Sequence, residues 1–192
     1  MQKQEIIELF KKTKVIQKGH FELSSGRHTD TYLQCAKIMQ YPDYTNKLAK
    51  EIAELWSEEN IDLVVGPAIG GIIISYAVAS MINSRNIFSE RKDGEMQFRR
   101  NLDIKEDDKV LIVEDVVTTG GSVREVVNLL EDSKADIVGI SSLVDRSNGE
   151  VEFNYPFKPL LELKVDSFKV DNCKLCQNNI EINKPGSQKM KS

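Results

Sequence analysis

The chain has 192 residues, 40% hydrophobic and 29% charged, with a formal net charge of −4. That length and balance suit one globular domain with its own core. The acid excess leaves no global field for nucleic acid or an anionic membrane, so any anion must be held by a local site. The three cysteines, Cys35, Cys173 and Cys176, are an odd number and make no disulfide framework. The opening MQKQEIIELFKKTKV has no continuous apolar stretch, which speaks against a signal peptide, and the expected address is the cytoplasm. Segment 69–82 is apolar but carries Gly, Ser and Tyr and is too short to span a bilayer.

Ile6, Ile7, Leu9 and Phe10 suit a first helix. FELSSGRHTDTY then reads as a turn or hairpin, and residues 42–56 return to helical spacing. From there the pattern is α/β. IDLVVG is a buried strand, leading through GPAIGG into the small-residue helix IIISYAVASMI. NIFSE is a short strand, and RKDGEMQFRRNLDIKEDD a polar stretch with a hairpin break at Asp93–Gly94. KVLIV is a buried strand, SVREVVNLLEDS a helix, DIVGISSLV a strand and LLELKV a last strand. Such alternation predicts a mostly parallel sheet covered on both faces. The segment from Asn178 onward is polar, and a frayed tail is expected there.

The most informative segment is KVLIVEDVVTTGGSVREVV, residues 109–127. An apolar strand ends in two adjacent carboxylates, Glu114 and Asp115, and a loop, VVTTGGS, feeds a helix. Ligands of open α/β sheets bind at the carboxyl ends of strands. Thr118, Thr119 and Ser122 offer hydroxyl donors, while Gly120 and Gly121 let backbone N–H groups reach an anion. The helix start adds unpaired N–H groups and a positive dipole end. The carboxylates would repel a phosphate, but they can accept the vicinal hydroxyls of a sugar or hold Mg²⁺ through water. A ribose 5-phosphate satisfies both halves. A capping box of Ser122 with Glu125 explains the serine but not the acidic pair.

VLIVEDVVTTGGS resembles the phosphoribosyl pyrophosphate (PRPP) motif of the type I phosphoribosyltransferases. The resemblance implies a mostly parallel central sheet flanked by helices, with a small hood over the base site to which about residues 1–40 contribute. FELSSGRHTDTY, VVGPAIGG, ERKDG, LVDRSNG and the ending DNCKLCQNNIEINKPGS narrow the resemblance to the orotate-using branch. It implies Mg-dependent transfer of ribose 5-phosphate from PRPP to orotate, in pyrimidine (UMP) synthesis, by a homodimer with shared sites. By that resemblance Glu114, Asp115, Val116, Val117, Thr118, Thr119, Gly120, Gly121 and Ser122 bind PRPP. Thr118, Arg146, Tyr32 and Leu33 meet orotate, and Arg91 and Lys92 reach the pyrophosphate of the neighbouring subunit. Glu114, Asp115 and Lys92 carry the catalytic roles, and no residue is a direct metal ligand. Two departures stand out: His28 replaces the Lys that often follows the Ser-Gly-Arg turn, and the mobile loop is short, leaving Arg99 and Arg100 as substitutes or as exposed cations.

Several readings stay open. GPAIGG is either a pyrophosphate loop or a plain turn into a helix. Arg146 is either a base contact or a surface ion pair with Asp145. Trp56 reads as core. Cys173 and Cys176 have CxxC spacing, but zinc normally takes four ligands, and His20, His28 and Cys35 lie far upstream. A zinc site within one chain is therefore not expected, although two tails meeting across a dimer could build one. The rivals to the orotate reading are a transferase for a purine or other base, and a non-catalytic PRPP-sensing regulator. The latter usually needs a basic surface or an added DNA-binding element, and this chain is acidic.

Overall fold

The computed structural model describes residues 1–23 and 25–185. Ser24 in the expected turn, and residues 186–192 of the expected tail, lie outside the described residues. Helix α1 (Lys3–Lys12) buries Ile6 and Phe10. Strands β1 (Ile16–Glu22) and β2 (His28–Leu33) form an antiparallel hairpin, with Gly26 supplying a positive φ of 73° in its turn. A short α2 (Ala36–Met39) leads to α3 (Pro42–Leu55), which opens on a proline, whose missing N–H would have had no helical partner there. Next come β3 (Leu63–Pro67), buried throughout, and α4 (Gly70–Ile82). Strand β4 (Arg85–Lys92) turns at Asp93 and Gly94 (φ 55° and 91°) into β5 (Glu95–Phe98). Positive φ at both central residues matches the twist of a two-residue hairpin. The chain continues through β6 (Lys109–Val117), α5 (Gly121–Asp132), β7 (Asp136–Asp145) and β8 (Phe157–Glu162). A 3₁₀ turn, Val170–Asn172, and a one-turn α6, Lys174–Gln177, follow.

The central sheet has six strands in the order β5-β4-β3-β6-β7-β8. Every pair is parallel except β4–β5. Helices cover both faces, as the long apolar runs require. On one face α1, α3 and α4 bury Phe10, Leu48, Ile52 and Ile74 against Leu111, Leu143 and Leu161. On the other, α5 sets Val123, Val126 and Leu130 against Leu63, Val65, Ile112 and Ile140. Trp56 is core as expected, and a side chain at Gly139 would begin 2.0 Å from its ring. Gly139 therefore sits mid-strand to leave room for the indole.

The strand order fixes where a ligand can lie. From β3 the chain crosses through α4 to β4 on one side. From the adjacent β6 it crosses through α5 to β7 on the other. The two connections diverge and leave a crevice beyond the carboxyl ends of β3 and β6, the topological switch point of an open sheet. The GPAIGG and VVTTGGS segments flank it.

The expected frayed tail is corrected up to Lys184. Glu22 donates its N–H to the Asn183 carbonyl (3.0 Å), and Asn183 donates to that of His20 (2.8 Å). Upstream, His28 and Phe168 exchange both backbone hydrogen bonds (2.8 and 2.7 Å). Polar composition alone hid this docking, because backbone pairing does not depend on apolar side chains.

Candidate active site

Strand β6 runs past the KVLIV stretch, through both carboxylates, to Val117. Its pairing with β3 ends at Val65–Ile112, whereas pairing with β7 continues through Glu114–Ser142 to Val117–Asp145. The last residues of β6 thus turn an open edge toward the crevice. Across it, α4 begins very close by. A Cβ on Gly70 would lie 2.3 Å from Asp115 Oδ1, and one on Gly71 would lie 3.2 Å from Glu114 Oε1. The two glycines let the start of α4 close on the acidic pair, so the GPAIGG loop and the carboxylates form one surface. Within that loop the Ala68–Ile69 peptide is cis.

Glu114 is buried and Asp115 half-buried. Glu114 Oε1 accepts the Asp115 N–H at 3.0 Å, and Asp115 Oδ1 accepts the Val116 N–H at 2.9 Å. Burial, joined by the charge of Asp115, pushes the Glu114 carboxyl well above the usual carboxylate range. Burial also raises Asp115, against the pull of its hydrogen bonds to Glu114 and to the backbone.

Helix α5 is capped by Gly120 (φ 73°) with no side-chain cap and no acid in its first turn. The capping-box reading of Ser122 and Glu125 therefore fails: Ser122 lies inside the helix, and Glu125 instead pairs with Arg91. The first N–H groups of a helix have no partner inside it, so here they stay available to an anion. A small cavity of about 60 Å³ is lined by Glu114 and residues 116–123. A Cβ on Gly120 would meet Arg124 Nη1 at 2.9 Å and Val151 and Phe153 at 3.0 Å. Arg124 braces the loop from outside. Its Nη1 donates to the Thr119 carbonyl (2.6 Å), its Nη2 to that of Glu152 (3.1 Å), and its guanidinium lies 5.2 Å from the centre of the Phe153 ring. Sequence reading missed Arg124, since its partners Glu152 and Phe153 lie beyond β7 and only the fold brings them to the loop.

Arg146 follows β7, and its N–H donates to the Val117 carbonyl at 2.8 Å, which sets it beside Thr118. Burial lowers its pKa, while Tyr32 acts on it in the opposite sense, so the hairpin and β7 meet here. The ion-pair reading of Arg146 finds no support: among the described residues its guanidinium forms no salt bridge, and Asp145 Oδ1 accepts the Ser147 N–H (2.7 Å). Tyr32 and Leu33 point to opposite faces of β2. Tyr32 is half-buried, and Leu33 packs into the core.

The Arg91–Lys92 pair divides in the same way. Arg91 is tied to Glu125 (2.7 Å) and donates to the Gly94 carbonyl, while Lys92 is exposed and has no ion-pair partner among the described residues. Arg99 and Arg100 both pair with Glu90. His28 is buried against His20 at 2.9 Å. The expectation that no single chain gathers zinc ligands is overturned: donor atoms of His20, His28, Cys173 and Cys176 all lie within 4.8 Å of one another. Folding the tail back on the hairpin brings them together.

A strand, an acidic pair, a glycine loop and a helix start at the switch point define the class of the protein. Residues 34–175 match the phosphoribosyl transferase domain family. An orotate phosphoribosyltransferase of Thermoanaerobacter sp. (strain X514) is 51% identical over 98% of this chain and 100% of its own. One of Caldanaerobacter subterraneus subsp. tengcongensis is 48% identical over 99% and 100%. The Mycobacterium tuberculosis H37Rv orotate phosphoribosyltransferase, solved in complex with inorganic phosphate, shares the fold with a TM-score of 0.67 at 21% identity, covering 83% of this chain and 96% of that one. The chain belongs to the phosphoribosyl transferase family and, within it, to the orotate phosphoribosyltransferases.

Proposed function

We propose that this protein transfers ribose 5-phosphate from PRPP to orotate, yielding orotidine 5′-monophosphate and pyrophosphate for pyrimidine synthesis. The observation that carries the reading is the meeting, at one switch point, of the α5 phosphate loop, the Glu114–Asp115 pair and the Arg146–Tyr32 corner. The 5-phosphate binds N–H groups and hydroxyls of residues 118–122, and Glu114 and Asp115 accept the ribose hydroxyls. A ring nitrogen of orotate attacks the anomeric carbon as its bond to pyrophosphate breaks, so no protein nucleophile is needed. Positioning and electrostatics supply the rate. The carboxylates favour the cationic character that develops on the sugar. Arg146 grips the orotate carboxylate or a ring carbonyl with its planar fork, beside Thr118 and Tyr32. Leu33 supports that wall from the core beneath.

Lys92 faces the departing pyrophosphate, and Arg91 can join it because an exposed ion pair such as Arg91–Glu125 is held weakly. The donor set also fits Mg²⁺: the acidic pair offers oxygen ligands, and a cation would relieve its crowded charge. Glu114 and Asp115 would hold Mg²⁺ through water, and the ion would supply charge neutralisation to the pyrophosphate.

The reading includes a hood built by about residues 1–40, a homodimer and a cytoplasmic location. Ile69 at the N-cap of α4 and Ile73 and Tyr76 on the helix are exposed (86, 49 and 67%) at i, i+4, i+7 spacing, which favours burial against a second copy. Three cysteines free of disulfides suit a reducing compartment. Among the described residues no helix is long and apolar enough to cross a membrane.

A panel of bases with PRPP and Mg²⁺, assayed for pyrophosphate release, tests the proposal. Release with orotate alone is expected. Release only with purines would move the assignment within the family, and none with any base would favour a PRPP sensor.

A further inference from the structure

A second cluster of reactive side chains lies outside this site. His20 comes from β1, His28 from β2, and Cys173 and Cys176 from the start of α6. His20 Nε2 is 3.6 Å from Cys173 Sγ and 3.7 Å from Cys176 Sγ, and His28 Nδ1 is 3.2 Å from Cys176 Sγ. The two ring nitrogens are 2.9 Å apart. A tetrahedral zinc ion, with bonds of about 2.0–2.1 Å to nitrogen and 2.3 Å to sulfur, needs donor separations of roughly 3.3–3.8 Å. Both distances from His20 to sulfur fall in that range, while the 3.2 Å from His28 to Cys176 and the 2.9 Å between the histidines must open by a few tenths of an ångström. No pair of the four donor atoms has more than about 1 Å to close, since all lie within 4.8 Å of one another.

A second observation concerns protons. His20 Nδ1 lies 2.7 Å from the Ile180 carbonyl. A carbonyl can only accept, so Nδ1 carries the hydrogen and the Nε2 lone pair faces the cluster. With no cation, either His28 Nδ1 donates to that lone pair and leaves both thiols without a nitrogen acceptor, or two ring lone pairs face each other at 2.9 Å. Cys173, His20 and His28 are 0, 3 and 5% exposed. Two imidazoles and two thiolates are the soft, borderline donor set that selects zinc, and two thiolates balance its charge in a buried position.

We propose that His20, His28, Cys173 and Cys176 of one chain bind one structural zinc ion that clamps the C-terminal segment onto the β1–β2 hairpin. Binding displaces the two thiol protons into solvent, and no electron is transferred. All four positions are filled by protein, so the ion is closed to substrate. The clamp has a mechanical role. A two-stranded hairpin is marginal alone. Here the tail pairs with both of its outer edges, through Phe168 on β2 and Asn183 on β1. Arg27 adds hydrogen bonds from Nε and Nη2 to Ser167. The metal fastens the segment between these two bridges, and the hairpin it holds carries Tyr32. The inference stands independently of which base the enzyme uses.

The full chain, purified under reducing conditions without chelator, tests this by elemental analysis and by cobalt substitution. One zinc per chain is expected. The cobalt form should show the intense visible bands of a tetrahedral site with thiolate charge transfer in the near ultraviolet. Cys176→Ser and His28→Ala should lose the metal, whereas Asp115→Asn should keep it. A strong chelator should lower the melting temperature of the wild type and leave Cys176→Ser unmoved. If either variant fails to fold, cobalt titration of chelator-treated wild type decides the matter alone. The proposal is overturned by metal-free protein with freely titrating thiols and no tetrahedral cobalt spectrum. A Cys173–Cys176 disulfide overturns it too, as does half an equivalent of zinc per chain, which would mean a site shared between two tails.

Discussion

Glu114 and Asp115 are held where their charges are unfavourable, and that has a measurable consequence. A carboxyl whose folded pKa is raised binds protons more tightly folded than unfolded. Stability of the free protein should therefore fall as pH rises from the unfolded carboxylate value, about 4, through the raised folded values. Glu114→Gln removes the larger penalty, so its melting temperature should exceed the wild type's above that window and vary less with pH, while turnover drops. A melting profile as steep as the wild type's would contradict the assignment of burial as the cause. Asp115→Asn should likewise fold and lose most turnover. Arg146 behaves differently because its fork has no hydrogen-bond or ion-pair partner among the described residues. Losing a charge-assisted contact costs about 1.5–3 kcal/mol, or roughly 10- to 150-fold in kcat/KM for orotate. Arg146→Ala should show that loss with PRPP binding little changed, and equal damage to both substrates would place Arg146 outside the base pocket.

At the scale of elements, the phosphate loop depends on one backbone conformation. Gly120 has a φ of 73° and neighbours at 2.9–3.0 Å from any added methyl. Gly120→Ala should cost about 1–2 kcal/mol for the left-handed backbone alone, which in a chain of this size lowers the melting temperature by several degrees. Gly121 is the internal control, since a methyl there would meet only Thr119 Oγ1 at 3.7 Å. Gly121→Ala should leave the melting temperature within about a degree, consistent with alanine's better helix propensity. Equal destabilisation by the two would mean that the turn at Gly120 is not what shapes the loop. The loop as an element was legible from VLIVEDVVTTGGS, because the strand, the acids, the glycines and the helix are contiguous. Its Arg124 brace was not, because that contact joins α5 to a segment reached only after β7.

For the whole molecule, the proposed homodimer with shared sites can be tested through Lys92 and Asp115. Lys92 sits on the exposed β4–β5 hairpin, whereas Asp115 lies in the crevice of its own chain. Inactive Lys92→Ala and inactive Asp115→Asn can be mixed and allowed to exchange subunits. If the site is shared across a dimer, each heterodimer contains one site with both defects and one with neither. Random exchange makes about half of the dimers heterodimers, so about a quarter of wild-type activity should return. No recovery, with exchange verified by mass spectrometry of labelled subunits, would assign Lys92 to its own subunit's site.

The sequence by itself determined the α/β alternation, the buried strands and the phosphate loop, since each is written in contiguous residues with a period or an order. It also supplied the family, because the PRPP motif is a single uninterrupted run. Tertiary structure alone decided the switch point, which depends on the directions in which the chain leaves β3 and β6. It separated Tyr32 from Leu33 and Arg91 from Lys92, because neighbouring strand residues face opposite sides once a sheet is built. And it brought His20 and His28 to Cys173 and Cys176, some 150 residues away along the chain, through backbone pairing that the polar composition of the tail does not reveal.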